Sequence, residues 1–340
     1  MKKLVCILLT LALTLGCASA MAADLVIYSA RNERLNNIVI PGFEKATGLT
    51  VEMITGSTGE VNQRIKAEVE SGNVTVDIHW AADETMLSAN RDLFQPYVSS
   101  ENDAMMPLFK NDGSNVFNPA FAEPNVMIVN TQKLDELGIK VEGYADLLQP
   151  ELKGKIISAD PANSSSAFQC LIGMLYGMGN GDPMSQEAWD FIDQFLVNLD
   201  GKVASSSSQV YNGVANGEYY VGLSYEDPCV ELEAAGEQPV KVVYAKEGTI
   251  FPGQSVQIVK NAPHLEAAQK FVDYVLSEEV QTAVAAELNL RPLRAGIPTN
   301  AKMVPNEEIK LFDTYSAAYI AEHKAEIVNT YVEHVEMMME

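Results

Sequence analysis

Leu25-Val26-Ile27-Tyr28-Ser29, Val51-Glu52-Met53-Ile54 and Val76-Asp77-Ile78-His79-Trp80-Ala81 are three short apolar runs with β-branched members. Between them stand Arg31 to Lys45, which stops at Gly48, and Glu60 to Val69, both with helical spacing; a further helix is expected from Asp83. Strand and helix alternating in this way predict a parallel sheet covered by helices on both faces. Ligands of such sheets sit beyond the C-terminal ends of the strands. Ser29, Ser57 and Trp80 fall at or just after such ends, and Asp83 opens the helix that follows.

Working outward, Phe121 to Asn130 reads as a longer strand that crosses between lobes, after which the alternation restarts. Strands are expected at Lys155 to Asp160, Val221 to Ser224, Val240 to Tyr244 and Ser255 to Val259. Helices are expected at Ala167 to Tyr176, Glu187 to Leu199, Gln209 to Gly217, Cys229 to Ala235 and Leu265 to Leu276. After Pro292 the chain reads as helical, with Leu311, Tyr315, Ala318 and Ile320 on one side. Two α/β units joined by strands, with no internal repeat and no low-complexity linker, predict lobes that move about a short hinge and hold a ligand between them. The expected division gives 23–120 with 252–302 to an N-terminal lobe and 121–251 with 303–340 to a C-terminal lobe.

Three runs of small hydroxyl residues stand where helices should begin: Gly56-Ser57-Thr58-Gly59, Asn163-Ser164-Ser165-Ser166 and Ser205-Ser206-Ser207-Ser208. A helix N-terminus has unpaired N–H groups and partial positive charge, so added hydroxyls make a site for a phosphate or similar anion. One hydroxyl suffices as a cap, and that structural reading stands for any single run. The surplus in all three asks for a ligand.

Lys2 and Lys3 precede an apolar run from Leu4 to Leu15, and Ala18-Ser19-Ala20-Met21-Ala22-Ala23 offers small residues for a signal peptidase. Residues 1–22 therefore read as a secretory signal peptide, too short for a transmembrane span. Gly16-Cys17 leaves a lipoprotein reading, disfavoured because Thr14 stands where a lipobox carries Leu. The formal net charge of −23 becomes about −25 once Lys2 and Lys3 are removed, which excludes nonspecific nucleic-acid binding as a default. A locally positive cleft remains compatible with it, since surface charges are screened beyond roughly 8 Å. Of the cysteines outside the leader, Cys170 sits in an apolar pattern that suits a buried thiol better than a disulfide to Cys229. His79, His264, His323 and His334 are scattered and form no metal motif.

The order of Val26-Ile27-Tyr28-Ser29, Phe43-Glu44-Lys45-Ala46-Thr47-Gly48, Val76-Asp77-Ile78, Val129-Asn130-Thr131, Leu152-Lys153-Gly154-Lys155, Asn216-Gly217-Glu218 and Ala267 to Val275 resembles the extracellular solute-binding proteins of ABC importers, in their ferric-binding branch. The resemblance covers nearly the whole chain after the leader. It implies the α/β, two-lobed type II periplasmic-binding-protein fold, with the ligand between the lobes. The branch holds ferric ion with a His, a Glu and two adjacent Tyr. Those positions fall near Asn32, Ala82 and Asp227-Pro228 here, and a neutral amide and a methyl cannot serve a hard cation. The resemblance places the branch's anion pocket at Ser164, Ser165 and Ser166, with Ser207 as a second contributor. Members lacking the tyrosine pair bind hexose phosphates or aminoalkylphosphonates, and the runs at 56–59 and 79–82 look like theirs.

The expected site is therefore Ser29, Arg31, Asn32, Ser57, Thr58, Trp80, Asp83, Ser164, Ser165, Ser166, Ser207, Tyr225, Glu226, Asp227 and Glu247. Arg31 can pair with phosphate bidentately. Trp80 can stack on the ligand or fill the core. Glu226, Asp227 and Glu247 follow strand ends and are expected to read the ligand's other end. The expected function is an exported, monomeric receptor that delivers a small phosphorylated organic anion to a membrane permease, a sugar phosphate before an aminophosphonate, with no cofactor and no metal. Ferric ion bound through Tyr225, Glu226 and Asp227 with an exogenous anion is the first alternative. A secreted phosphatase is the second, but no nucleophile and base stand at a usable spacing.

Overall fold

In a computed structural model, residues 23–339 are described, apart from 112 and 114; the expected signal peptide, its cleavage site and Cys17 lie outside the described residues. The chain opens with β1 (Leu25–Ser29), α1 (Glu33–Thr47), β2 (Val51–Thr55), α2 (Thr58–Ser71), β3 (Ile78–Asp83), α3 (Glu84–Leu87), β4 (Phe94–Gln95) and β5 (Asn118–Ala122). It crosses to a second sheet through β6 (Asn125–Asn130), α4 (Thr131–Leu137), β7 (Ile156–Ala159), α5 (Ser165–Met178), α6 (Gln186–Leu199), β8 (Val203–Ala204), α7 (Ser207–Ala215), β9 (Val221–Tyr225), α8 (Glu226–Ala235) and β10 (Val240–Val243). Then it returns through β11 (Gly253–Val259), α9 (Leu265–Leu276), α10 (Glu278–Glu287) and β12 (Arg291–Pro292), and ends on α11 (Ala317–Met339).

The first sheet runs β12-β5-β11-β3-β1-β2 with β4 also beside β11, and the second runs β10-β6-β9-β7-β8. β1 is parallel to both β2 and β3, as the alternating pattern requires, but β11 pairs antiparallel with β3 and β5. The sheets are mixed because the chain comes back from the second sheet to complete the first. Phe121 to Asn130 is two strands in different sheets, broken by Glu123 and Pro124, and Glu123 N–H donates to the Pro252 carbonyl of the returning segment at 3.3 Å. The two crossings thus lie side by side.

Local chemistry explains the elements that aim the site. Asn32 caps α1 by accepting the Leu35 N–H at 2.9 Å, and Gly48, at φ 74°, closes it in the left-handed region that glycine tolerates. β1 and β3 are buried along Leu25, Ile27, Ile78 and Trp80, against α1 and α9 through Leu35, Phe43, Phe271 and Val275. The expected helix after Pro292 begins only at Ala317; Leu311 is exposed and bridges Thr249 outside any helix. α11 buries Ile320, Ile327 and Tyr331 and packs on both α3 and α6, so the last helix touches both halves of the molecule. Cys170 and Cys229 are both free and buried. Among the described residues no helix is long and apolar enough to cross a membrane.

Candidate functional site

Between the two sheets lies a cleft of about 650 Å³. Among the described residues, four helices with side-chain caps begin on it. Asn32, Ser57, Ser164 and Ser206 cap α1, α2, α5 and α7, each accepting a first-turn N–H. In α5 and α7 the hydroxyls beyond the caps meet across the two helices: Ser164 Oγ lies 3.2 Å from Ser166 Oγ and 3.3 Å from Ser207 Oγ, and Ser166 Oγ lies 2.6 Å from Ser207 Oγ. Three hydroxyls bonded mainly to one another, at two positive helix ends, can turn their protons onto an anion without stranding a protein partner. Opposite them, Gly59 faces Asn163 so closely that a β-carbon there would lie 3.8 Å from the Asn163 carbonyl.

Among the described residues lining the cleft, Arg31 is the one cationic side chain. Its Nη1 donates to Glu123 Oε2 at 3.0 Å and its Nη2 to Gln254 Oε1 at 2.9 Å, while its buried Nε–H has no partner. Glu123 is 8% exposed, and burial, with Asp227 and Glu226 nearby, pushes its carboxyl up to about 7 against the lowering pull of Arg31. Glu60 also lines the cleft, but its carboxylate completes the α2 capping box by accepting the Ser57 N–H at 2.7 Å, which holds it below the usual range. Tyr211 and Tyr225 meet edge to face at 6.4 Å, with Tyr225 pushed well up by burial.

Of the expected site residues, Arg31, Asn32, Ser57, Thr58, Ser164, Ser165, Ser166, Ser207 and Tyr225 line the cleft. Six do not. Ser29 is fully buried, and its hydroxyl accepts the Arg31 N–H at 3.0 Å. Trp80 packs edge-on against Phe271 at 5.4 Å in the core, on a strand buried on both faces. Asp83 stays in β3 and holds Thr85 and Gln169. Glu226 is fully buried in a bidentate pair with Arg291, at 2.8 and 2.6 Å. Asp227 accepts from Asn32 Nδ2 at 3.0 Å and from Asn289 N–H at 2.9 Å. Glu247 caps a short 3-10 turn by accepting Tyr144 N–H at 2.9 Å and Ala145 N–H at 3.2 Å.

The model of the family described as bacterial extracellular solute-binding protein matches residues 39–310. The chain belongs to this family. As a solute-binding protein of an ABC importer, it is of a class that binds small ligands and delivers them to a permease, and whose members are substrate-binding proteins and not enzymes. It is 26% identical over 305 residues, 84% of this chain and 80% of the other, to the Synechocystis protein named iron uptake protein A1. The structure of the periplasmic binding protein AfuA from Actinobacillus pleuropneumoniae, with exogenous fructose-6-phosphate bound, is similar at a TM-score of 0.81 and 23% identity, covering 92% of this chain and 98% of that one. Iron-bound HitA from Pseudomonas aeruginosa is similar at 0.75 and 20% identity, covering 91% and 98%. Both structural likenesses concern the fold, which is the two-lobed type II periplasmic-binding fold.

The binding protein's cleft also contains residues that the sequence reading missed: Glu60, Glu123, Asn163, Gln169, Tyr211 and Gln254. One signal for Glu123 was available, a carboxylate interrupting the apolar run from Phe121 to Asn130. Gln254 gave none, because its meeting with Arg31 depends on the chain returning to the first sheet.

Proposed function

We propose that this solute-binding protein captures a small phosphorylated organic anion, a sugar phosphate in preference to an aminophosphonate, and presents it to a membrane permease as an exported monomer. The observation that carries the reading is the convergence of Ser164, Ser166 and Ser207 at two helix N-termini, with Ser57, Thr58 and Arg31 across the cleft. Hydroxyls and N–H groups from both lobes would complete the anion's hydrogen-bond shell on closure, so binding and closure stabilise each other. Neutral hydrogen-bonding groups at Asn32, Asn163, Gln169 and Gln254 suit several sugar hydroxyls better than one ammonium.

Ferric ion is the rival cargo, since a relative carries iron uptake in its name. Two of the three residues expected to hold it, Glu226 and Asp227, are committed to Arg291, Asn32 and Asn289. A thermal-shift screen with hexose phosphates, aminoalkylphosphonates, inorganic phosphate and ferric citrate separates the cargoes. A ligand at a hundred times its Kd adds about 2.7 kcal/mol to stability. Stabilisation by hexose phosphates, lost in steps with deoxy analogues, is the expected result. Tight retention of iron with a tyrosinate-to-iron absorption band, and no response to phosphate esters, would overturn the proposal.

A further inference from the structure

Resting on the reading of the cleft as an organic-phosphate site, a second step follows from its charge balance. Among the described residues, the lining holds one cation, Arg31, and two carboxylates, Glu60 and Glu123, so a phosphate dianion entering it meets no second positive side chain there. Arg31 already gives one N–H of Nη1 to Glu123 and one of Nη2 to Gln254, and its buried Nε–H has no partner. An anion that draws on Arg31 therefore competes with Glu123 for the same charge. We propose that capture of a phosphate dianion in this cleft is coupled to the uptake of one proton by Glu123, the carboxylate that shares Arg31 with the ligand.

The surroundings of Glu123 favour that acceptor over any other. Asp227 and Glu226, from the start of α8, disfavour its ionised form, while Arg31 supports it; Tyr225, from the end of β9, is held neutral by burial and by Glu123 and brings no competing charge. Arg291, on the strand position paired with Ala122, is committed to Glu226. With its carboxyl already near 7 in the empty cleft, a neighbouring dianion moves it further up, so the complex holds the proton at pH values where the free protein does not. Glu60 is the wrong acceptor, because the Ser57 N–H stabilises its ionised form. The proton comes from solvent, and once it sits on Glu123 the charge of Arg31 is released to the ligand.

The test is calorimetric titration of the full-length mature protein with glucose 6-phosphate at pH 8, where the ester is a dianion because its second pKa is about 6. Phosphate-free buffers of different ionisation enthalpy are compared. The expected result is a binding heat that tracks buffer ionisation with a slope close to one proton taken up. Affinity should also fall about tenfold between pH 8 and pH 9. In Glu123→Gln the slope should vanish and the affinity become flat with pH. Measurable binding with no buffer dependence in the wild-type protein overturns the proposal while leaving the organic-phosphate reading intact, and needs no variant to be read. A slope that persists in Glu123→Gln overturns the assignment to this residue. If glucose 6-phosphate fails but 2-aminoethylphosphonate or inorganic phosphate binds, the same slope is measured with that probe at a pH where it is a dianion. Failure of all three overturns the reading of the cleft together with the proton coupling.

Discussion

Ser164, Ser165 and Ser166 follow β7 as Glu226 and Asp227 follow β9, on neighbouring parallel strands, and each group opens a helix. The serines line the cleft, and Ser164 and Ser166 bond to each other and to Ser207, whereas the two carboxylates are buried and bonded to Arg291, Asn32 and Asn289. A helix N-terminus that carries its own acids has its partial positive charge matched from within, so α8 offers little to an anion. One that carries neutral hydroxyls keeps that charge for a ligand. Position after a strand end decides where a residue is, and the commitment of its hydrogen bonds decides what it is for.

The hardest blow to this comparison would come from the acidic side. Arg291 and Glu226 are both fully buried, and removing one leaves the other charged and unpaired, which typically costs about 3–5 kcal/mol. Arg291→Met should therefore lower the urea unfolding free energy by that amount, while the folded fraction keeps its affinity for hexose phosphate. A variant of normal stability and lost affinity would put the pair in the site and dissolve the distinction. The serine side should behave in reverse. Ser166→Ala with Ser207→Ala should weaken ligand binding by about 2–4 kcal/mol in calorimetry, since bonds to a charged group contribute roughly 1.5–3 kcal/mol each and need not add. Its unfolding free energy should move by less than about 1 kcal/mol, because Ser164, the one hydroxyl of the three left behind, lines the cleft and can replace its lost neighbours with water.

A buried polar group without any ionic partner sharpens the same contrast through pH. His79 in β3 accepts from Gln257 Nε2 through Nδ1 at 2.7 Å, its Nε2 is unpartnered, and burial, reinforced by Arg31, holds its pKa down to about 3. The folded state binds this proton less readily than the unfolded chain does, whose His titrates near 6.5. Its contribution is thus complete above pH 6.5 and shrinks as pH falls toward 3, by up to about 1.4 kcal/mol per unit. Glu123 has the opposite sign: with a folded value near 7 against 4.5, the native state holds the extra proton, and stability falls as pH rises between those values. The two slopes oppose each other between about pH 4.5 and 6.5, so urea midpoints from about pH 4 to 7 should fall with rising pH in His79→Gln and rise with it in Glu123→Gln, each variant exposing the other group.

The parallel strands, the helix starts at Ser57, Ser164 and Ser206 and the cleft's hydroxyl lining were legible because period and caps are local. What was not legible depends on distant partners. β3 is buried on both faces, so nothing local to Trp80 says what it packs on; Phe271, which arrives from α9, fixes that it fills the core. Glu226 and Asp227 read as a loop reaching the cleft because nothing near them announces Arg291 and Asn289, which return on the last part of the first sheet. The segment after Pro292 carried apolar residues at helical spacing, yet Pro298 and Pro305 interrupt it and the helix waits for Ala317. For the same reason Arg31 was readable as a residue of the cleft, while its pairing with Glu123 and Gln254, set by the two chain crossings, was not.

The smallest expected effect tests the carboxylate whose commitment is weakest by burial. Glu247 is only half-buried, so exposure alone does not remove it from the site, but both its oxygens are spent on the N–H groups of Tyr144 and Ala145 at the start of a 3-10 turn. The surrounding glycines make room for it: a β-carbon at Gly143 would lie 2.2 Å from Glu247 Oε2, and one at Gly177 3.2 Å from its Cβ. A side chain seated in a slot cut for it and capping two donors acts as a turn anchor. Glu247→Ala should therefore cost about 1 kcal/mol of unfolding free energy, as loss of a cap does, with no change in affinity for any phosphate ester. Glu247→Gln, which keeps one acceptor, should recover part of that loss. If Glu247→Ala instead weakened ligand binding at unchanged stability, hydrogen-bond commitment would no longer separate the anchoring acids from the receptive hydroxyls, and the carboxylates would have to be restored to the cleft.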